Sequence, residues 1–258
     1  MINLAITARF IGMLLGISGL LQLTTLGFSF YYNSGDHIAI IASAVINLLA
    51  GATMMYATRN NQNKRVQKRD GFLIVTMGWL MMTFFGTLPY VFSGAIPNYT
   101  DAFFETMSGF TTTGATILTD IEALPEGVLF WRSMTQWIGG MGIIVLAVAI
   151  LPILGIGGME LFVAEAPGPT TDKLHPRITG TAKRLWLIYV TLTLVVMGAL
   201  WLSGLSFYDA INHAFTTAAT GGFSTKNESV AAFESPLVHY IIIIFMFIGG
   251  MNFTLIYF

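Results

Sequence analysis

The chain contains no cysteine, only four histidines and few charges, 10% of its 258 residues. Without thiols it forms neither disulfides nor thiolate metal sites, and the scattered histidines lack the spacing of a zinc site. A soluble domain carries roughly 25% charged residues. That deficit, with 55% hydrophobic residues and a mean hydropathy of +0.72, marks a polytopic membrane protein. No nucleophile–base pair, metal cluster or phosphate loop stands out, which argues against an enzyme, and nothing points to a nucleic-acid partner. The GIGG at 155–158 lacks the preceding strand and following Gly-Lys of a phosphate loop and reads as a helix-to-loop hinge.

Six apolar windows are long enough to span a bilayer: 10–30, 37–58, 71–92, 130–154, 184–204 and 238–258. The first is too long for a signal peptide, follows a single basic residue, Arg9, and has no small-residue cleavage site. Ten of the twelve basic residues (Arg9, five in 59–69 and four in 173–184) fall on one side of these spans; Arg132 and Lys226 do not. The positive-inside rule then places the N-terminus in the cytoplasm. Nine of the thirteen acids fall on the other side, giving a net −7 with Arg132 and Lys226. An acidic vestibule of this kind concentrates cations, although positive-inside sorting alone also leaves acids outside.

Of the outer loops, 31–36 is a tight turn, whereas 93–129 and 205–237 are long for plain connectors. Each long loop holds a helix-competent apolar piece too short to cross, 101–110 and 209–218, of re-entrant length. A shift of 108 residues superimposes them: Asp101-Ala102 on Asp209-Ala210, Thr112 on Thr220 and Gly114 on Gly222. A shift of 110 then aligns Gly139-Gly140-Met141 with Gly249-Gly250-Met251. The repeated unit is span, half-helix, Thr/Gly segment, span, and the first two spans stand outside it.

The chemistry of this unit centres on 99–118, YTDAFFETMSGFTTTGATIL. A helix that stops within the membrane leaves its last carbonyls unpaired, which is tolerated only in protein or along a water-filled path. Asp101 and Asp209 are expected to cap the helix starts. Gly114 and Gly222 permit positive φ, so successive carbonyls can face one axis. Backbone carbonyls and threonine hydroxyls are hard, neutral oxygens, suited to a dehydrated alkali cation. A ring of carbonyls takes about four segments, and this chain supplies two.

Other polar residues have simpler readings. The Gly-Gly-Met positions favour close helix packing, and Gln136 and Asn252 interhelical hydrogen bonding. Arg132 reads first as a snorkelling side chain and second as a charge that repels cations or pairs with an outer carboxylate. Glu105 and His213, which align, either face the vestibule or are bonded internally.

With these residues in place, the chain resembles the Trk/Ktr/HKT superfamily of potassium transporters, and within it the bacterial TrkH-type membrane subunit. The segments that carry the resemblance are YTDAFFETMSGFTTTGATIL, FWRSMTQWIGGMGIIVLAVAILP, DKLHPRITGTAKRLWLIY and YDAINHAFTTAATGGFSTKNES, together with the two leading spans. The resemblance implies an all-α, four-repeat, pseudo-tetrameric fold like that of potassium channels. Residues 1–70 would be two N-terminal transmembrane helices and a basic cytoplasmic loop, 71–182 the first span–pore-helix–span repeat, and 183–258 the second. It implies K⁺ uptake across the bacterial inner membrane. Thr111, Thr112, Thr113 and Gly114 would form one selectivity-filter segment, and Ala219, Thr220, Gly221 and Gly222 a second. The potassium ion would be held by the backbone carbonyls of Thr112, Thr113, Thr220 and Gly221. It further implies a homodimer with a pore in each subunit, a cytoplasmic nucleotide-binding regulatory partner of the TrkA type, and no cofactor.

The family's subunits run to nearly twice this length. Two repeats, an intramembrane gating loop and an inner-pore arginine are therefore not in this sequence, and the 258 residues are expected to be a fragment that does not conduct selectively alone. Two other readings compete: a secondary transporter with broken helices, and a membrane assembly partner that transports nothing.

Overall fold

A computed structural model describes residues 3–60, 68–140, 142 and 178–251. Among the described residues, four helical stretches are long and apolar enough to cross a membrane: Leu4–Tyr32, His37–Ala57, Arg69–Ser93 and Arg184–Leu202. They match the first, second, third and fifth windows. The fourth and sixth windows begin as helices of 15 and 14 residues. At 1.5 Å per residue these reach about 21–22 Å, short of a hydrocarbon core of about 30 Å. Residues 143–154 and 252–258 of these windows, the 155–158 hinge and Met141 lie outside the described residues.

Two of the spanning stretches are broken near the acidic end of the bundle, each for a local reason. Between α1 (Leu4–Thr24) and α2 (Leu26–Tyr32), the Thr25 hydroxyl donates to the Gln22 carbonyl at 2.7 Å. Between α4 (Lys68–Gly86) and α5 (Leu88–Ser93), Pro89 removes the N–H that the Phe85 carbonyl would accept. Asn47 of α3 (His37–Ala57) donates to that freed carbonyl at 3.3 Å, and Trp131 Nε1 donates to the Gly86 carbonyl at 2.9 Å. A break that would strand polar backbone in the membrane is thus closed by neighbouring helices.

The first hairpin owes its closeness to glycine. A Cβ on Gly51 would lie 2.5 Å from the Gly12 carbonyl, and one on Gly12 would lie 2.8 Å from the Gly51 carbonyl. Small residues at facing positions let α1 and α3 meet backbone to backbone. At the opposite end from the broken stretches, the Asn3 N–H donates to Asp70 Oδ1 at 2.8 Å and ties the start of α1 to the start of α4.

The remaining elements are α6 (Tyr99–Phe110), α7 (Glu126–Gly140), α8 (Ile178–Leu202), α9 (Phe207–Ala218) and α10 (Pro236–Gly249). A 3₁₀ turn, Ser229–Ala232, precedes α10. Both short helices are capped one turn earlier than the sequence led us to expect. Asn98 accepts from Thr100 N–H at 2.9 Å and Ser206 from Asp209 N–H at 3.0 Å. Asp101 and Asp209 sit inside the first turn, where their charge still suits the positive end of the helix.

The turn at 31–36 is tight, with Asn33 at φ 58° and Gly35 at φ 79°. Its last residue does more than close the turn. Asp36, 2% exposed, accepts from Ser29 and Ser34 with one oxygen and from Val128 N–H at 2.8 Å with the other. It therefore caps α7 from a distant part of the chain. Gly127 makes room, since a Cβ there would lie 2.5 Å from Asp36 Oδ2.

Candidate functional site

Both short helices end in the same way. At the end of α6, Thr112 N–H donates to the Gly109 carbonyl at 3.0 Å and Thr113 N–H to the Ser108 carbonyl at 2.9 Å. At the end of α9, Thr220 N–H donates to Thr217 at 3.0 Å and Gly221 N–H to Thr216 at 2.8 Å. This pair of bonds around one left-handed residue is a Schellman motif. The left-handed residue is threonine in both, at φ 52°. A β-branched side chain there is strained, at a cost of about 1–3 kcal/mol each. Two residues on, Gly114 and Gly222 have φ of 76° and 83°.

This geometry corrects one expectation. The carbonyls of Ser108, Gly109, Thr216 and Thr217 accept bonds within the turns and are not left open by the helix ends.

The two segments touch. A Cβ on Gly114 would lie 2.1 Å from the Gly221 carbonyl oxygen, so glycine is required there by contact as well as by φ. Beyond that contact the two differ. In the first, Thr111 and Thr113 are exposed and their hydroxyls lie 2.8 Å apart; Thr112 and Gly114 are half-buried. In the second, Ala219 and Gly221 are buried, while Thr220 and Gly222 are exposed. Gly221 has no positive φ to justify glycine. A Cβ there would instead lie 2.3 Å from the side-chain amide of Gln136.

Gln136 is fully buried on α7 and bonds the segment twice. Its Nε2 donates to the Gly221 carbonyl at 2.9 Å, and its Oε1 accepts from Phe223 N–H at 3.1 Å. One turn away, Arg132 is 1% exposed. Its Nε donates to Glu105 Oε1 at 2.8 Å and its Nη1 to the Ser224 carbonyl at 3.0 Å, while its Cζ lies 3.6 Å above the Phe223 ring. Arg132 thus does not snorkel; it takes the second reading, that of a carboxylate partner. A lone buried charge would be costly, and here both charges are paired and hydrogen-bonded.

Glu105 and His213 are both bonded internally, at matching places. Glu105 accepts from the Thr116 hydroxyl at 2.8 Å and from Ile117 N–H at 3.0 Å. His213 Nε2 pairs with the Ser224 hydroxyl at 2.9 Å, and its Nδ1 with the Asp209 carbonyl at 2.8 Å. Thr116 and Ser224 are themselves 108 residues apart, a correspondence visible in the sequence had the alignment been carried past the glycines. Asp209 also accepts from Thr225 at 2.6 Å. The two loops are joined by Asn227, which accepts from Ile121 N–H at 2.6 Å and donates to Asp120 at 3.1 Å.

The aligned glycines of the following helices pack against the ends of the short helices. A Cβ on Gly139 would lie 2.0 Å from the Phe110 carbonyl, and one on Gly249 would lie 3.0 Å from the Ala218 carbonyl. Gly140 lies similarly close to Ala219. With Asp36 buried and Glu105 matched to Arg132, the acids left on that side are seven, with Lys226 as their basic neighbour. Lys226 lies 3.5 Å from Glu122.

Residues 36–258 match the family model "TrkH: Cation transport protein". The Trk system potassium uptake protein TrkH of Salmonella typhimurium is 50% identical over 227 residues, which are 87% of this chain and 47% of that protein. The TrkH of Halomonas elongata is 44% identical over 255 residues, 98% of this chain and 53% of that protein. The crystal structure of the potassium transporter TrkH from Vibrio parahaemolyticus superimposes with a TM-score of 0.81 at 39% identity, over 98% of this chain and 51% of that one. The chain spans about half the length of the curated relatives it matches. These relatives are transporters and not enzymes. On this evidence, the all-helical membrane protein described above belongs to the TrkH family of cation transport proteins.

Proposed function

We propose that this chain forms half of the ion pathway of a bacterial potassium uptake system. K⁺ crosses the inner membrane through a filter to which Thr111–Gly114 and Ala219–Gly222 each contribute one segment. The observation that carries this reading is the pairing of two strained Thr/Gly turns of one geometry, in contact at Gly114 and the Gly221 carbonyl. Strain of this kind persists where the surroundings fix it and clusters at functional sites.

On this reading residues 71–182 and 183–258 are two span–pore-helix–span repeats, with α6 and α9 as the pore helices. Residues 1–70 are two leading spans and a basic cytoplasmic loop. The N-terminus is cytoplasmic, as the basic residues require. The carbonyls of Thr112, Thr113, Thr220 and Gly221 replace part of the ion's hydration shell. A carbonyl has two lone pairs, so Gly221 can hold both the Gln136 amide and an ion. Two segments make half of a ring of about four. The rest of a full-length subunit supplies the remainder, and the 258 residues alone do not conduct selectively. Full-length subunits pair as homodimers, and a TrkA-type nucleotide-binding subunit docks on the basic cytoplasmic face. No cofactor takes part.

The test is rubidium flux into proteoliposomes containing the full-length chain that carries these residues. The expected result is flux that K⁺ suppresses and Na⁺ does not, and that disappears when only the 258 residues are reconstituted. Equal competition by K⁺ and Na⁺ would overturn the reading.

A further inference from the structure

Three differences between the two units lie at one junction. Where the first segment has Thr113, the second has Gly221, and the space so vacated is filled by the Gln136 amide. Where α7 has Gln136 and Arg132, the shift of 110 that aligns the Gly-Gly-Met motifs puts Met246 and Ile242 on α10. Neither of these can donate a hydrogen bond to a backbone carbonyl. Gln136 and Arg132 are four residues apart and so share a helix face. Between them they hold the second segment and the residues just after it at three places: the Gly221 carbonyl, the Phe223 N–H and ring, and the Ser224 carbonyl.

From this we infer that α7 is a clasp dedicated to the junction between the first and second filter segments, with Gln136 as the positioning residue that sets the direction of the Gly221 carbonyl. The inference rests on the proposed filter. The Gln136 amide spans the Gly221 carbonyl and the Phe223 N–H as the N–H and C=O of one residue in a parallel neighbouring strand would. It therefore fixes the rotation of the intervening backbone as well as its position. Arg132 holds the Ser224 carbonyl and is itself held by Glu105 of the preceding pore helix. The second segment is thereby registered against the first through side chains of the first unit. Because α10 carries Met246 and Ile242 at the equivalent places, the junction that follows the second segment is held in another way. The two units are chemically unequal in how they hold the filter, and cation discrimination depends more on α7 than on α10.

The test compares Gln136→Leu, Gln136→Glu and Met246→Leu in the full-length chain, reading the ratio of K⁺ to Na⁺ inhibition of rubidium flux together with the melting temperature in detergent. Gln136→Glu keeps an acceptor for Phe223 N–H but sets an oxygen against the Gly221 carbonyl. Both Gln136 variants are expected to lose selectivity at least tenfold, and Met246→Leu less than twofold. Gly19→Ala, which crowds the Ala44 carbonyl at 3.0 Å far from the segments, supplies a destabilised control. Unchanged selectivity in a folded Gln136 variant would overturn the inference. So would an equal loss in Gly19→Ala at matched melting temperature, or failure of both Gln136 variants to fold, since Gln136 would then serve stability alone. A wild-type chain that does not prefer K⁺ would instead refute the filter reading itself.

Discussion

At Thr112 and Thr220 the chain makes the same left-handed turn, at φ 52° in both, yet the two turns are held differently. The first is anchored from within its own unit. Glu105 on α6 reaches over to Thr116 and Ile117, eleven and twelve residues further on. The second has the equivalent local anchor, His213 to Ser224, and in addition two side chains from α7. Backbone geometry was therefore duplicated more faithfully than its support. A charged glutamate in the first unit is replaced by a histidine in the second, and the arginine that balances the glutamate also serves the second unit.

The largest effect that would break this comparison comes from its charged member. Arg132→Leu leaves Glu105 buried without its cation, which should cost about 3–5 kcal/mol. The corresponding change in the second unit, His213→Leu, removes hydrogen bonds to Ser224 and Asp209 and should cost about 1–3 kcal/mol. Thermal unfolding of the two purified variants checks the order. Equal losses would mean that the ion pair contributes no more than the neutral anchor.

Next come the glycines. Gly114→Ala meets both a φ of 76° and a contact of 2.1 Å with the Gly221 carbonyl, so it should disturb expression and flux together. Gly221→Ala should be nearly as damaging, but for a different reason, its collision with Gln136 at 2.3 Å. Shortening the partner relieves that collision. The double variant Gly221→Ala/Gln136→Ala is expected to fold better than Gly221→Ala alone, as measured by its melting temperature, while remaining poorly selective. A double variant no better than the single one would place the collision elsewhere.

The smallest effect tests the first hairpin against both units. Asp36→Ala removes the distant cap of α7, a loss of about 1–2 kcal/mol, with both segments otherwise untouched. Melting temperature should fall modestly and cation preference should hold. A loss of preference in this variant would show that the hairpin also governs the segments.

How much of this was legible in the sequence follows physical lines. Hydropathy marked the spans because burial in lipid leaves long apolar runs, and four of them are helices of spanning length. The 108-residue offset pointed to the paired turns because glycine and threonine at fixed spacing are demanded by backbone geometry. It recurs in their hydrogen bonds. The capping residues were misplaced by one turn because Asn98 and Ser206 precede aspartates that compete for the same role. For Arg132 and Gln136 the sequence offered a kind of bond but no partner, and for Asp36 it offered neither. Their partners lie 27, 92 and 85 residues away in sequence, and no local pattern encodes a contact of that range. Gly221 was read only as a member of the second filter segment, whereas the neighbouring glutamine is what requires glycine there.

One measurement bears most directly on the claim that these turns line an ion pathway. Gly222 and Gly204 both have positive φ, 83° and 103°, and a Cβ on either would meet nothing within 4 Å. Alanine at either position therefore imposes a similar backbone strain without a clash, one within the second segment and one in the loop before α9. In the full-length chain, the K⁺-to-Na⁺ selectivity of rubidium flux should fall sharply for Gly222→Ala and stay at the wild-type value for Gly204→Ala, at comparable melting temperatures. Equal selectivity in the two variants would contradict the account.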